Sequence, residues 1–287
     1  SKCFVKENVS ENNGRLVCAS KICMTITEID FKVFSQFYTW EQIRIGRMIC
    51  YRKEYLPTEF VESILHLYEM KTKLKGVKGK EVEYLNSKEM LNSCYGMCVT
   101  NPLRDEILCD GENWDVEHLT GEKQLEMLNK YNDSKNRFLF YPWGIYVTAY
   151  ARRNLFTGIS ECGDDYIYSD TDSVKIMNGD AHKEYFKLYN DLAQQKLRAA
   201  CKFHKIPFEK VEPVTIKGIA KPLGVWDYEG RYTRFKTLGA KRYMIEEENA
   251  LTVDGKNYNY SMTVSGVNKK SAIPYMLKTF GENGIFD

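Results

Sequence analysis

Two carboxylates one residue apart, Asp170 and Asp172, stand in the run Tyr168-Ser169-Asp170-Thr171-Asp172-Ser173. Tyr166 to Ser169 and Ser173 to Met177 read as short strands, with Val174 and Ile176 on one face. The Asp-Thr-Asp between them is then the tip of a β-hairpin. Two carboxylates about 4 Å apart repel by roughly 4 kcal/mol at an effective dielectric near 20. A fold tolerates that by protonating one of them, by turning them into water, or by placing a cation between them. Hard oxygen donors on a stiff hairpin suit Mg²⁺, which keeps several waters and takes one or two carboxylates together with substrate phosphates.

A second constellation lies about eighty residues earlier. Lys88, Asn92 and Tyr95 recur at i, i+4 and i+7, one stripe of a helix, with Gly96 beside them. A cation, an amide, a ring and a position without a side chain suit a nucleotide: charge for the phosphates, ring and open backbone for the base.

Lys88-Glu89-Met90-Leu91-Asn92-Ser93-Cys94-Tyr95-Gly96 follows K-x-x-x-N-S-x-Y-G, and Tyr168 to Ser173 follows Y-x-D-T-D-S. Lys241-Arg242-Tyr243 supplies a later K-x-Y. These motifs, in this order, resemble motifs B and C and the K-x-Y motif of family B DNA polymerases. The short spacing from motif B to motif C and Asn101-Pro102 after motif B are most similar to the protein-primed branch. The resemblance implies an α+β fold, with a palm built on an antiparallel sheet and fingers made of a helical hairpin. It implies that Asp172 ligates two catalytic Mg²⁺ ions and that Asp170 supports the site. Tyr168 and Ser173 then lie against primer-template DNA, with Lys241 and Tyr243 holding the primer end. Lys88 neutralises the incoming dNTP, and Asn92, Ser93, Tyr95 and Gly96 line the nascent base pair. Implied partners are primer-template DNA, a dNTP and a terminal, priming protein.

One element of that pattern is absent. A family B palm carries a further aspartate in D-x-x-S-L-Y-P, and no such motif occurs. Asp30 is the nearest candidate, but it is the fourth residue of Thr27-Glu28-Ile29-Asp30, a capping box, and the helix dipole explains it better. The exonuclease motifs are missing as well. The expectation is a fingers–palm portion of a polymerase, lacking its amino-terminal exonuclease and first palm part and scarcely active alone. Its sheet would lack a central strand and leave an edge open to another chain. The alternatives are a non-catalytic nucleic-acid-binding remnant and one half of a split polymerase. A reverse transcriptase palm fits less well, because its hairpin carries adjacent aspartates.

Composition adds limits. A charge of +2 over 287 residues points to no acidic or basic partner overall, so any nucleic-acid signal is local. One local signal is Arg231-Tyr232-Thr233-Arg234-Phe235-Lys236, continuing to Lys241-Arg242, which suits phosphate tracking. Lys71, Lys73, Lys75, Lys78 and Lys80 read mainly as solvated side chains. Nine cysteines without a C-x-x-C pair argue against zinc and for reduced thiols. No apolar run approaches a membrane span, so the expected location is the cell interior, cytoplasmic.

Five regions are expected: a connecting region over 1–56, a fingers hairpin over 57–98, a second insertion over 99–140, a palm over 141–260 and the start of a thumb over 261–287. Helices are expected from Glu28, from Thr58 to the basic loop 75–80, over 81–98, over 145–160 and over 181–205. Strands are expected at 43–51, 214–216, 224–226, 235–237 and 242–245, with a partial helix over 269–287.

Overall fold

A computed structural model describes residues 2–12, 15–135, 137–138, 140–253, 256–264 and 266. In chain order the elements are β1 (Lys2–Glu7), β2 (Ser10–Asn12), β3 (Arg15–Cys18), β4 (Lys21–Thr25), α1 (Glu28–Phe37), α2 (Thr58–Leu74) and α3 (Glu81–Met97). There follow β5 (Glu106–Cys109), β6 (Trp114–Glu117), α4 (Gly121–Asp133), α5 (Tyr141–Cys162), β7 (Tyr166–Asp170), β8 (Ser173–Ile176) and α6 (Lys183–His204). The last strands are β9 (Tyr232–Gly239), β10 (Arg242–Val253) and β11 (Lys256–Val264). Long helices with small antiparallel sheets make the chain α+β, as its sequence implies. The helix expected over 269–287 lies outside the described residues.

The chain divides into two compact units. The first comprises 26–153 and 190–225, the second 2–25, 154–189 and the residues from 226 onward.

In the first unit α2 and α3 pack as a hairpin across the loop 75–80, where Gly76 and Gly79 take positive φ. The core joins Leu65 to Cys201, Ile206 and Val211, with Val61, Phe208 and Leu223 against it. Ile206 reaches that core because α6 ends in a Schellman turn. Lys205 takes a φ of +57°, and the Ile206 N–H donates to the Cys201 carbonyl at 2.9 Å. The expected capping box forms at α1: the Asp30 N–H donates to Thr27 Oγ1 at 3.1 Å, and the Asp30 carboxylate accepts from Thr27. Arg152 of α5 then grips the same carboxylate with Nε and Nη2 at 2.7 and 3.0 Å. Gly144 lets α5 approach the end of α3, since a Cβ there would strike Val99 and crowd the Tyr95 carbonyl.

Three expected strands do not form. Residues 43–51 carry apolar alternation but no ladder, because among the described residues no strand lies beside them to accept their hydrogen bonds. Rings flank this stretch instead: Trp40 stacks on Phe31, Tyr51 meets Tyr146 edge-on, and Tyr55 stacks on Phe203. Residues 214–216 make a single bridge, Val214 to Ala220, and 224–226 make none. Gly218 and Gly224, both at positive φ, turn the chain too soon for a ladder to extend.

In the second unit β10 is the centre of the sheet β11-β10-β9, while β7-β8 and β1-β4 are separate two-stranded ribbons. No helix among the described residues is long and apolar enough to cross a membrane.

Candidate active site

The hairpin expected at Asp170 and Asp172 forms in the second unit. β7 and β8 pair with Asp170 opposite Ser173, so Thr171 and Asp172 are the loop. The turn is tight: the Asp172 N–H donates to the Asp170 carbonyl at 2.6 Å, and Ser173 Oγ donates to the same carbonyl at 3.2 Å. Thr171 is forced to a φ of +54°, a conformation that costs a β-branched residue about 1–2 kcal/mol. Its hydroxyl donates to Asp170 Oδ1 at 2.9 Å. Strain of this kind persists only where the surroundings hold it in place.

Those surroundings come from β9 and β10. Tyr168, 6% exposed, lies in a ring cluster with Phe235 and Tyr243 at centroid distances of 5.5 and 5.1 Å. Its hydroxyl accepts the backbone N–H of Lys241 at 2.8 Å. Lys241 occupies the turn between β9 and β10 at a φ of +57°, and its Nζ reaches both carboxylate oxygens of Asp170 at 2.9 and 3.0 Å. That contact holds the Asp170 carboxyl below the usual carboxylate range, against a smaller upward push from burial. The two carboxylates thus part ways. Asp170 is neutralised by a lysine of its own chain, whereas Asp172 faces solvent.

Six residues singled out in the sequence are therefore brought together here: Tyr168, Asp170, Asp172, Ser173, Lys241 and Tyr243. Two contacts of Lys241 were not legible in its motif, the ion pair with Asp170 and the bond to the Tyr168 ring hydroxyl. The basic run on β9 is partly tied down as well, because Arg234 pairs with Glu246 at 2.8 Å. Lys175 was also missed. It faces Tyr168 across the ribbon, pairs with Glu229 at 2.8 Å and lies 5.4 Å from the centre of the Tyr232 ring. Burial, the largest single influence, pulls its pKa down, but the bond and charge of Glu229 together with Tyr232 and Tyr243 hold the ammonium above its ordinary value. Only an unusual lysine at a strand position could have hinted at this.

The remaining five lie on α3 in the first unit. Lys88, Asn92 and Tyr95 are exposed along one stripe. Beyond its own helix turn, nothing comes within 4 Å of where a Cβ would sit on Gly96, so that side of its backbone is open. Ser93, by contrast, turns its hydroxyl back onto the Glu89 carbonyl at 2.8 Å. In the preceding loop and α2, Lys73 and Lys80 pair with Glu69 and Glu83, as solvated side chains do.

Asp172 is the carboxylate available for a divalent cation, since both oxygens of Asp170 are engaged. Among the described residues no group of three His, Cys, Asp or Glu could hold a metal. One carboxylate can share an Mg²⁺ with substrate phosphates, but it does not hold two ions. Asp30 does not make up the deficit. It is 1% exposed and wholly engaged by Thr27 and Arg152.

The sequence aligns with DNA polymerases of Bacillus phages. It is 25% identical to that of phage B103 over 242 residues, covering 83% of this chain and 34% of that polymerase. With the phage Nf polymerase it is 25% identical over 235 residues, 80% of this chain and 32% of the relative. With that of phage phi29 it is 28% identical over 173 residues, 59% of this chain and 23% of the relative. The chain is similar to phage DNA polymerases. It spans about a third of the length of the relatives it matches over most of its own length. No protein-family profile matches it, and no solved structure does.

Proposed function

We propose that this chain is the fingers–palm portion of a DNA-directed DNA polymerase of the protein-primed family B branch. It would carry out templated transfer of a nucleotide from a dNTP to a primer 3′ hydroxyl. One observation carries the reading: a two-carboxylate hairpin tip braced by Lys241 on Asp170 and Tyr168, within a sequence that aligns with phage DNA polymerases.

Each residue then has a task. Asp172, at the tip and in solvent, is the carboxylate for Mg²⁺, and Asp170 with Lys241 fixes the turn that presents it. Mg²⁺ supplies neutralisation of the triphosphate and of the oxygens that attack and leave in an in-line displacement. Lys88 adds a cation for the triphosphate, while Asn92, Ser93, Tyr95 and the open backbone at Gly96 flank the base pair. Tyr168, Ser173 and Tyr243 lie along the primer terminus. A second carboxylate for the metals is supplied from outside these 287 residues, and a terminal protein offers the first hydroxyl.

The test is primer extension with Mg²⁺. The isolated chain should give little or no templated synthesis, whereas a polymerase completed with an aspartate-bearing palm segment should extend the primer. In that complete enzyme Asp172→Asn should lower the rate by about a thousandfold, roughly 4 kcal/mol of transition-state stabilisation. Full activity of the Asp172→Asn enzyme would end the proposal. A non-catalytic nucleic-acid-binding role is favoured by one observation, the lack of a three-ligand group among the described residues. Primer-template binding with no synthesis from any completed form would select it.

A further inference from the structure

The ribbon that presents Asp172 is held at its tip by Lys241, through Asp170. Its ladder has four cross-strand pairs, with an irregularity between Tyr166 and Tyr168. Two strands alone are marginal in water, so the root needs a support of its own.

Asp165, the residue before β7, supplies it. Its carbonyl accepts the Met177 N–H at 2.8 Å, which closes the ribbon where β8 ends. Its carboxylate is shared: Oδ1 accepts from Asn178 Nδ2 at 2.8 Å, and Oδ2 accepts from His182 Nε2 at 2.9 Å. Asn178 takes a φ of +47°, and its carbonyl accepts the Ala181 N–H at 2.8 Å. That turn carries His182 back to the root just ahead of α6. The side chains of Asp165 and His182 are 24% and 15% exposed, so solvent screens their contact only in part. The His182 and Asn178 bonds hold the Asp165 carboxyl below the usual carboxylate range, against a smaller push from burial. The other ionisable groups around the root are the Cys162 thiol, exposed Asp164 and the Asp180–Lys183 pair, 2.5 Å apart on the surface. Burial pushes that thiol up, and the charges of Asp165 and Glu161 add to it.

We infer that Asp165, Asn178 and His182 are positioning residues that hold Asp172 from the root of its ribbon, and that protonation of His182 tightens their grip. A neutral imidazole donates an ordinary hydrogen bond, whereas an imidazolium donates a charge-assisted one, roughly twice as strong. Histidine ordinarily changes charge between about pH 5 and 8. Asp165, held low, stays ionised there, and its contribution fades only as pH falls through its folded value. The grip should therefore strengthen as pH drops from about 8 to 5. That the tip seats a cation rests on the function proposed above; that the root governs the tip does not.

The experiment is amide hydrogen exchange on the full chain, with rates corrected for the intrinsic effect of pH. Two amides report: Met177 at the root, which donates to Asp165, and Asp172 at the tip, which donates to Asp170. Amides of α3 serve as the reference. In the wild-type chain protection of both reporters should rise about fivefold between about pH 8 and 5.5, relative to α3. His182→Ala should lower both about tenfold and flatten the pH response. His182→Gln places an amide donor near the position of Nε2. It should restore the protection seen near pH 8 without the pH response. Protection at Asp172 that ignores His182→Ala would overturn the inference. So would a glutamine variant no better protected than the alanine one, or a pH response that persists in either. A chain that responds as expected yet, once completed, extends no primer would sink the polymerase reading alone.

Discussion

Replacing Arg152 with methionine probes a buried two-bond ion pair in the first unit. Asp30 is 1% exposed and has two charge-assisted bonds from Arg152, at 2.7 and 3.0 Å. Methionine keeps much of the packing of the stem but leaves a buried carboxylate with Thr27 alone. Stripping one partner from a buried ion pair costs about 3–5 kcal/mol. The Thr27 bonds survive and the Arg152 side chain is 32% exposed, so the loss at pH 7 should be nearer 2–3 kcal/mol. Its pH dependence is the sharper test. Burial pushes the Asp30 carboxyl up, but the bonds and charge of Arg152, with help from Thr27, hold it below its usual value. A depressed acid stabilises the fold above its unfolded value, about 3.9, and that contribution fades as pH falls through the folded value. In the variant burial is unopposed by arginine, so Asp30 titrates above its usual value and protonation relieves the strain. The gap between the two proteins should therefore narrow on acidification below about pH 4–5. Urea unfolding with amide exchange in α1, at pH 7 and pH 4, measures it. A loss under about 1 kcal/mol at pH 7, or a gap that ignores pH, would refute the account. Adding Asp30→Asn to the variant should recover part of the loss, since an amide needs no counter-charge.

Three other substitutions test the candidate site and its support. Lys241→Met should let the Asp170 carboxyl rise toward the ordinary carboxylate range, read by NMR titration of its side-chain carbon; no upward movement would deny the ion pair its role. Tyr168→Phe removes the acceptor for the Lys241 N–H while keeping the ring cluster, and should cost about 1 kcal/mol in unfolding free energy. Gly144→Ala drives a methyl into Val99 and the Tyr95 carbonyl, for an expected loss of about 1–3 kcal/mol in chemical denaturation. Amide-exchange protection in α3 should fall with it, since that is the helix Gly144 lets α5 approach.

Where a signal was local, the sequence disclosed it. The Thr27–Asp30 box caps α1 because the donors and acceptors it joins lie within one turn. The Asp-Thr-Asp hairpin forms because two short strands flank a two-residue loop, and the stripe of Lys88, Asn92 and Tyr95 follows from helical period alone. The alternation in 43–51 misled because a strand is a property of two segments, and no second segment among the described residues lies alongside. Tertiary structure alone decided which charge meets which. Lys241 is 71 residues from the aspartate it neutralises, and Arg152 is 122 from the one it grips. No periodicity spans such distances, so the partner of a carboxylate is fixed only when strands and helices pack. That is why two aspartates legible as a pair became one braced group and one presented to solvent.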